Sequence, residues 1–230
     1  MLRSPLSRTG VMSMNILKTE KISAYTHAAA IPVMAIGTVI LILLSKGNSS
    51  MQIVSLIYGL SAMFLFTASF LYHSKKQKEN EISFWRKLDH TAIFFLIAGT
   101  YTPVCYLYLN GTMRWGILIA QWSLVFTGTF FKLFFINAPR IIGTMIYLIM
   151  GWLVVIPLSI LLKTMPDDVF ILLAAGGFSY TIGAVIYALK KPDPLPHYFG
   201  FHEIFHLFIF GGAVLHLLMV INGIEGYKVL

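Results

Sequence analysis

The sequence predicts an all-α, polytopic membrane protein, a bundle of seven transmembrane helices with the N-terminus in the cytosol and the C-terminus outside. Three observations carry this. Of 230 residues, 57% are hydrophobic and only 11% charged, a poor composition for a soluble globule. Seven apolar runs can be marked, each of roughly the 20 residues that cross hydrocarbon as a helix. Basic residues fall in the short loops between those runs, far more on one side than on the other. The net charge of +8 therefore reads as membrane orientation, and no nucleic-acid partner is expected.

Taken in order, residues 1–22 form an expected cytosolic N-terminal tail, disordered, with basic residues against one acid, Glu20. They lack an apolar core long enough for a cleaved signal, and Met12 and Met14 would allow a later start. Residues 23–222 make the expected seven-helix domain, and 223–230 a short outer tail. The runs are Ala24–Leu44, Ile53–Tyr72, Thr91–Leu109, Gly116–Phe135, Ile141–Leu162, Val169–Leu189 and Glu203–Ile221. Alternating the loops gives one side thirteen Lys and Arg, including Arg3, Lys76, Lys78, Arg86, Lys132 and Arg140. The other side receives four, namely Lys46, Arg114, Lys163 and Lys228. The basic side is assigned to the cytosol. Tyr25, Tyr72, Trp85 and Trp115, near run ends, suit interfacial anchoring. Pro32, Pro103 and Pro157 are candidates to kink their helices and free backbone carbonyls, while Gly211 and Gly212 permit close packing. The single cysteine, Cys105, excludes an intramolecular disulfide and a cysteine metal cage.

Chemistry concentrates in His202-Glu203-Ile204-Phe205-His206, at the cytosolic mouth of the seventh run. Histidines at i and i+4 share one helix face and can reach one metal ion. Polar groups placed in hydrocarbon are costly, so an intramembrane pair is a functional signal. The alternation brings the end of the second run, with Ser69 and His73, to the same side, and likewise the start of the third, with Asp89 and His90. His73, His202 and His206 then supply three nitrogen ligands with a fourth tetrahedral position open, the form of a catalytic zinc site. Ser69, one turn from His73, supports it; Asp89 is the candidate to accept a proton from water or to hold a ligand, against the alternatives of a solvated loop acid or an N-cap. His90 competes with Asp89 and ranks below it as a ligand. Glu203, about 100° round the helix from His202, faces elsewhere. His216 lies roughly 15 Å deeper, too far to share the ion, and is placed to hydrogen-bond across the bundle. His27 is a packing residue or a fourth participant, and His197 a solvent-exposed loop residue.

These residues resemble a known family. The motifs are Ser69-Phe-Leu-Tyr-His73, Lys87-Leu-Asp89-His-Thr with Ala98-Gly-Thr-Tyr-Thr-Pro103, and His202-Glu-Ile-Phe-His206 with His216. In this order the chain, from about Tyr25 to Val220, resembles the hemolysin III family, the bacterial branch of the progestin and adipoQ receptor superfamily. That resemblance implies seven helices, a zinc ion on His73, His202 and His206, an aspartate at Asp89 holding water and a serine at Ser69 nearby. The receptors' long N-terminal domain has no counterpart, which removes the case for adiponectin binding. Related alkaline ceramidases suggest zinc-dependent hydrolysis of a membrane lipid amide or ester. The family name suggests instead a pore-forming cytolysin, and a structural zinc in a sensor of membrane lipid state or energetics is a third reading. The partners expected are a membrane lipid, as substrate, and the bilayer.

Overall fold

A computed structural model of the chain describes residues 8–76, 82–195 and 198–229. His197 and the basic residues Arg3 and Lys78 lie outside them. The chain forms α1 (Arg8–Leu44), α2 (Ser49–Lys75), α3 (Phe84–Tyr108) and α4 (Gly111–Phe134). It continues with α5 (Arg140–Trp152), a 3₁₀ turn at Leu153–Val155, α6 (Leu158–Thr164), α7 (Asp167–Leu189) and α8 (Phe201–Val229). Among the described residues six helices are long and apolar enough to span a membrane, and there are seven crossings if the pair α5–α6, bent by 53° at its break, counts as one span. No strand occurs among the described residues. Side chains such as Ile36, Leu43, Phe126, Phe130 and Ile171 stand outward and exposed, the surface expected against lipid tails.

Local chemistry accounts for the ends. Asn48 caps α2 by accepting the Met51 amide at 3.0 Å, and Ser83 caps α3 by accepting that of Arg86 at 3.2 Å. The cap at Ser83 starts α3 upstream of the expected Thr91. Asp89 is thus neither a loop acid nor an N-cap, and sits inside the helix. At the end of α7, Lys190 takes a left-handed conformation and Pro192 follows, a sequence that stops a helix.

Of the three prolines, only Pro157 coincides with a break; α1 and α3 run through Pro32 and Pro103. Beside that break the exposed-backbone problem of a broken membrane helix is met by side chains from the neighbours. Gln121 of α4 donates to the Met150 carbonyl at 2.9 Å and Tyr101 of α3 to that of Gly151 at 2.6 Å. A fully buried glutamine in an apolar run thereby has a structural use.

Sequential helices α1 to α4 pack side by side, α7 packs along α8, and α8 returns against α1. The α7–α8 seam is close because Gly176 lies against the His216 ring and Gly212 against Tyr180, where any β-carbon would collide. Only light contacts tie α5 to α3, α4 and α7, so the ring encloses open space between them.

Three expectations change. Residues 8–22, expected as disordered tail, are helical as the first turns of α1, and α8 runs on through Val229 rather than ending near Ile221. Tyr72 is buried, not an interfacial anchor: its ring sits 4.9 Å from that of His73. Tyr25 and Trp115 are largely exposed, as anchoring requires, and Cys105 is buried.

Candidate metal centre

The residues assigned to one membrane side gather at one end of the bundle, where α1, α2, α3 and α8 meet. His73 is in the last turn of α2, and His202 and His206 occupy successive turns at the start of α8. One ring nitrogen from each lies within 4.8 Å of the others, a group that could hold a metal ion. His73 and His206 are buried and His202 half-buried. His73 Nε2 and His202 Nε2 are 3.4 Å apart. Nitrogens bound at zinc distances of ~2.0–2.1 Å around a tetrahedral ion stand roughly 3.3–3.4 Å from each other, so the His73–His202 pair has the spacing of two ligands of one ion.

Orientation of the first ligand comes from a residue the sequence reading passed over. Glu20 is buried, and its Oε2 accepts from His73 Nδ1 at 2.6 Å. That bond holds the His73 proton on Nδ1 and leaves the Nε2 lone pair facing His202, the arrangement by which a carboxylate sets a metal-binding imidazole. The other Glu20 oxygen pairs with Lys76 Nζ. Treated as tail, Glu20 carried no signal. Read as helix, Glu20, Ser23 and His27 share one face at i, i+3 and i+7.

That face meets the site three times. Besides Glu20 on His73, the Ser23 hydroxyl donates to Glu203 Oε1 at 2.9 Å, and the His27 ring stacks on His206 at 3.9 Å between centroids. His27 also meets Phe66 edge-on, and among the described residues neither of its ring nitrogens has a hydrogen-bond partner, so its contact with His206 is one of ring packing. Glu203 also accepts the Gly200 amide at 2.8 Å. It is turned toward α1 and the start of its own helix, not toward the metal position.

Asp89 sits beyond the three imidazoles and is not part of the ligand group. The buried Ser69 and the His73 imidazole are both electrostatic neighbours of its carboxylate. His90, next along α3, does not join the cluster; its carbonyl accepts from Tyr147 at 2.9 Å. His216 is deep in the bundle, with Nε2 3.2 Å from the Leu173 carbonyl of α7, a bond across the bundle as expected.

The cluster opens into a cavity of about 1140 Å³ that runs from His73, Asp89 and His202 to His216. Away from the histidines its walls are mostly apolar, among them Leu148, Val155, Leu158, Phe170 and Phe178, with Lys132 and Arg140 as cations among them and Tyr101 and Tyr180 adding hydroxyls. Much of that wall is the bent α5–α6 segment, so the break at Pro157 shapes the space.

Substituting Glu20 with Gln keeps size and removes the charge that polarises His73. Partners of this kind are worth about 10–100-fold in metal affinity. The expected outcome for E20Q is metal affinity lowered by that factor with the chain still folded, read by competition with a chelator of known affinity. Unchanged affinity would show that Glu20 only pairs with Lys76.

Fold and site together define a class: a multi-pass, all-α cell-membrane protein with a buried histidine cluster, able to hold a metal, at one end of an internal cavity. Residues 15–217 match the family model described as "Haemolysin-III related", and the chain belongs to that family. It is 35% identical to Hemolysin-3 of Bacillus cereus over 208 residues, covering 89% of this chain and 91% of that protein. Likewise it is 35% identical over 200 residues to the Hemolysin-3 homolog of Bacillus subtilis (strain 168), covering 86% and 90%.

Proposed function

We propose that this protein is a zinc-dependent hydrolase of an amide or ester bond in a membrane lipid. One observation carries the reading: three convergent imidazoles with a carboxylate near them stand at the charged end of a large cavity whose walls are otherwise mostly apolar. Its volume of about 1140 Å³ is large for a small-molecule site and suits an acyl chain.

Zinc held by His73, His202 and His206 would supply Lewis acidity, polarising a carbonyl and making water acidic enough to attack at neutral pH. The chain's own groups do the rest. Apolar walls take the acyl chain and keep bulk water from it, which sets the headgroup linkage beside Asp89. Asp89 receives the proton as water oxygen bonds to the carbonyl carbon, then returns it to the departing nitrogen or oxygen as the old bond breaks. Ser69 lends its hydroxyl dipole to the Asp89 carboxylate, and Glu20 keeps His73 in the tautomer that ligates.

The test uses zinc-loaded protein in liposomes made from a total bacterial lipid extract supplemented with N-acylated lipids, with fatty-acid release followed by mass spectrometry. Release that a chelator stops and zinc restores is expected. No release from any lipid overturns the reading.

The name of the relatives favours a second reading, a cytolytic pore. An open pore needs a polar lining through the whole bilayer, whereas the charged groups and the histidine cluster here collect at one end of a mostly apolar cavity. Dye leakage from the same liposomes that persists in His202→Ala/His206→Ala protein would favour the pore over the hydrolase.

A further inference from the structure

Beside the histidine cluster the same cavity carries positive charge that, at Lys132 and Arg140, no carboxylate among the described residues balances. Lys132, in the last turn of α4, is only 6% exposed, yet its ammonium lines the cavity. It reaches across to α5, where its Nζ lies against Gly143, a position at which any side chain would displace it. Arg140, one turn before Gly143 on α5, lines the cavity too. Its guanidinium is spread 4.4 Å over the Tyr187 ring and donates to the Tyr187 carbonyl at 3.2 Å. Arg86 is a Coulombic neighbour of Lys132 and adds to the field.

Among the described residues neither Lys132 nor Arg140 has a carboxylate partner. Four acids line the cavity, and none is within ion-pair distance of either cation: Glu20 is held by His73 and Lys76, Glu203 by Ser23 and Gly200, Asp89 is an electrostatic neighbour of His73, and Asp193 is exposed beside Gly200. Aromatic faces at 5.5 Å (Tyr147) and 5.7 Å (Phe131) sit near the outer limit of useful cation–π contact with Lys132 and do not neutralise it. A buried ammonium without a counter-charge is costly, and in a membrane bundle such groups face a pathway or a ligand.

We infer that Lys132 and Arg140 form a binding site for the phosphate of an anionic lipid whose acyl chain occupies the apolar part of the cavity. A guanidinium fork and a lysine point charge together match the several oxygens and the charge of a phosphate ester. The inference deepens the lipid reading of this cavity and rests on it, but it requires neither zinc nor hydrolysis. It narrows the lipid class from neutral amides and esters to phosphate-bearing ones.

The experiment measures lipid retention by the purified full-length protein in detergent, by native mass spectrometry. The probes are phosphatidic acid, diacylglycerol with the same chains, oleate and inorganic phosphate. Phosphatidic acid is expected to be retained about tenfold or more over diacylglycerol and oleate, since each charge-assisted contact is worth roughly that factor. In Lys132→Met/Arg140→Met protein the preference should fall to near equality, with metal content and elution volume unchanged. If Lys132→Met does not elute as wild type, Arg140→Gln on the half-buried rim should still lower the preference. Equal retention of phosphatidic acid and diacylglycerol, equal retention of oleate, or no effect of the substitutions overturns the inference. Displacement of phosphatidic acid by millimolar inorganic phosphate would mean that the site serves free phosphate, and would overturn the lipid assignment. His202→Ala/His206→Ala protein should lose metal yet keep the preference, which separates this site's failure from that of the metal.

Discussion

Replacing His202 and His206 together with alanine should take bound metal from roughly one zinc per chain to almost none, because a single imidazole holds such an ion far more weakly than three. Both residues lie on α8, and His73 alone would remain with Glu20 behind it. Elemental analysis of detergent-purified wild type and variant measures this directly. The variant should also be less stable: the three ligands join α2 to α8, and an ion that binds only the folded chain adds its binding energy to folding. In contrast, α1 still grips α8 through Ser23 and Glu203, so the bundle should survive with a lower unfolding temperature. No metal in the wild type after supplementation with zinc would remove the catalytic mechanism and shift the weight to a pore or scaffold.

Asp89→Ala should do the opposite, keeping the metal and losing turnover. The carboxylate is outside the ligand group, so zinc content should stay near wild type. A positioned general base contributes roughly 10²–10⁴-fold, and lipid hydrolysis should fall by that factor. Ser69→Ala, which leaves the base in place but removes a polar neighbour of its carboxylate, should fall less. Turnover unchanged in Asp89→Ala would end the proposed mechanism. Loss of zinc along with activity would move Asp89 into the ligand set.

Much of the site was legible because its signals are local or follow from topology. The i, i+4 pair at His202 and His206 needs only the helical repeat. The meeting of His73 with that pair needs only the number of crossings between them, since an even count returns the chain to the same side. Asp89 was placed near the cluster by the same counting. Its role as helix residue, not cap, became visible only when Ser83 was seen to cap α3.

What escaped was non-local or hidden by composition. Glu20 lay in a stretch with Arg3, Arg8, Lys18 and Lys21, which reads as a solvated tail, and its partner His73 is 53 residues away. Tyr72 stood at a run end, where interfacial and buried aromatics look alike. Gln121 appeared as one polar residue in an apolar run, and its purpose depends on a broken helix that periodicity cannot show.

By itself, then, the amino-acid order determined a polytopic helical bundle, the side on which its charges collect and the three imidazoles that can share an ion. Those follow from hydropathy, alternation and the 3.6-residue repeat, all properties of short stretches. Only the tertiary structure decided that α1 supplies Glu20 to His73 and that α5 breaks to open a cavity. It alone decided, too, that Lys132 turns inward against Gly143 without a carboxylate. Each of these depends on which distant helix a side chain meets, a matter of packing between elements that no local pattern encodes.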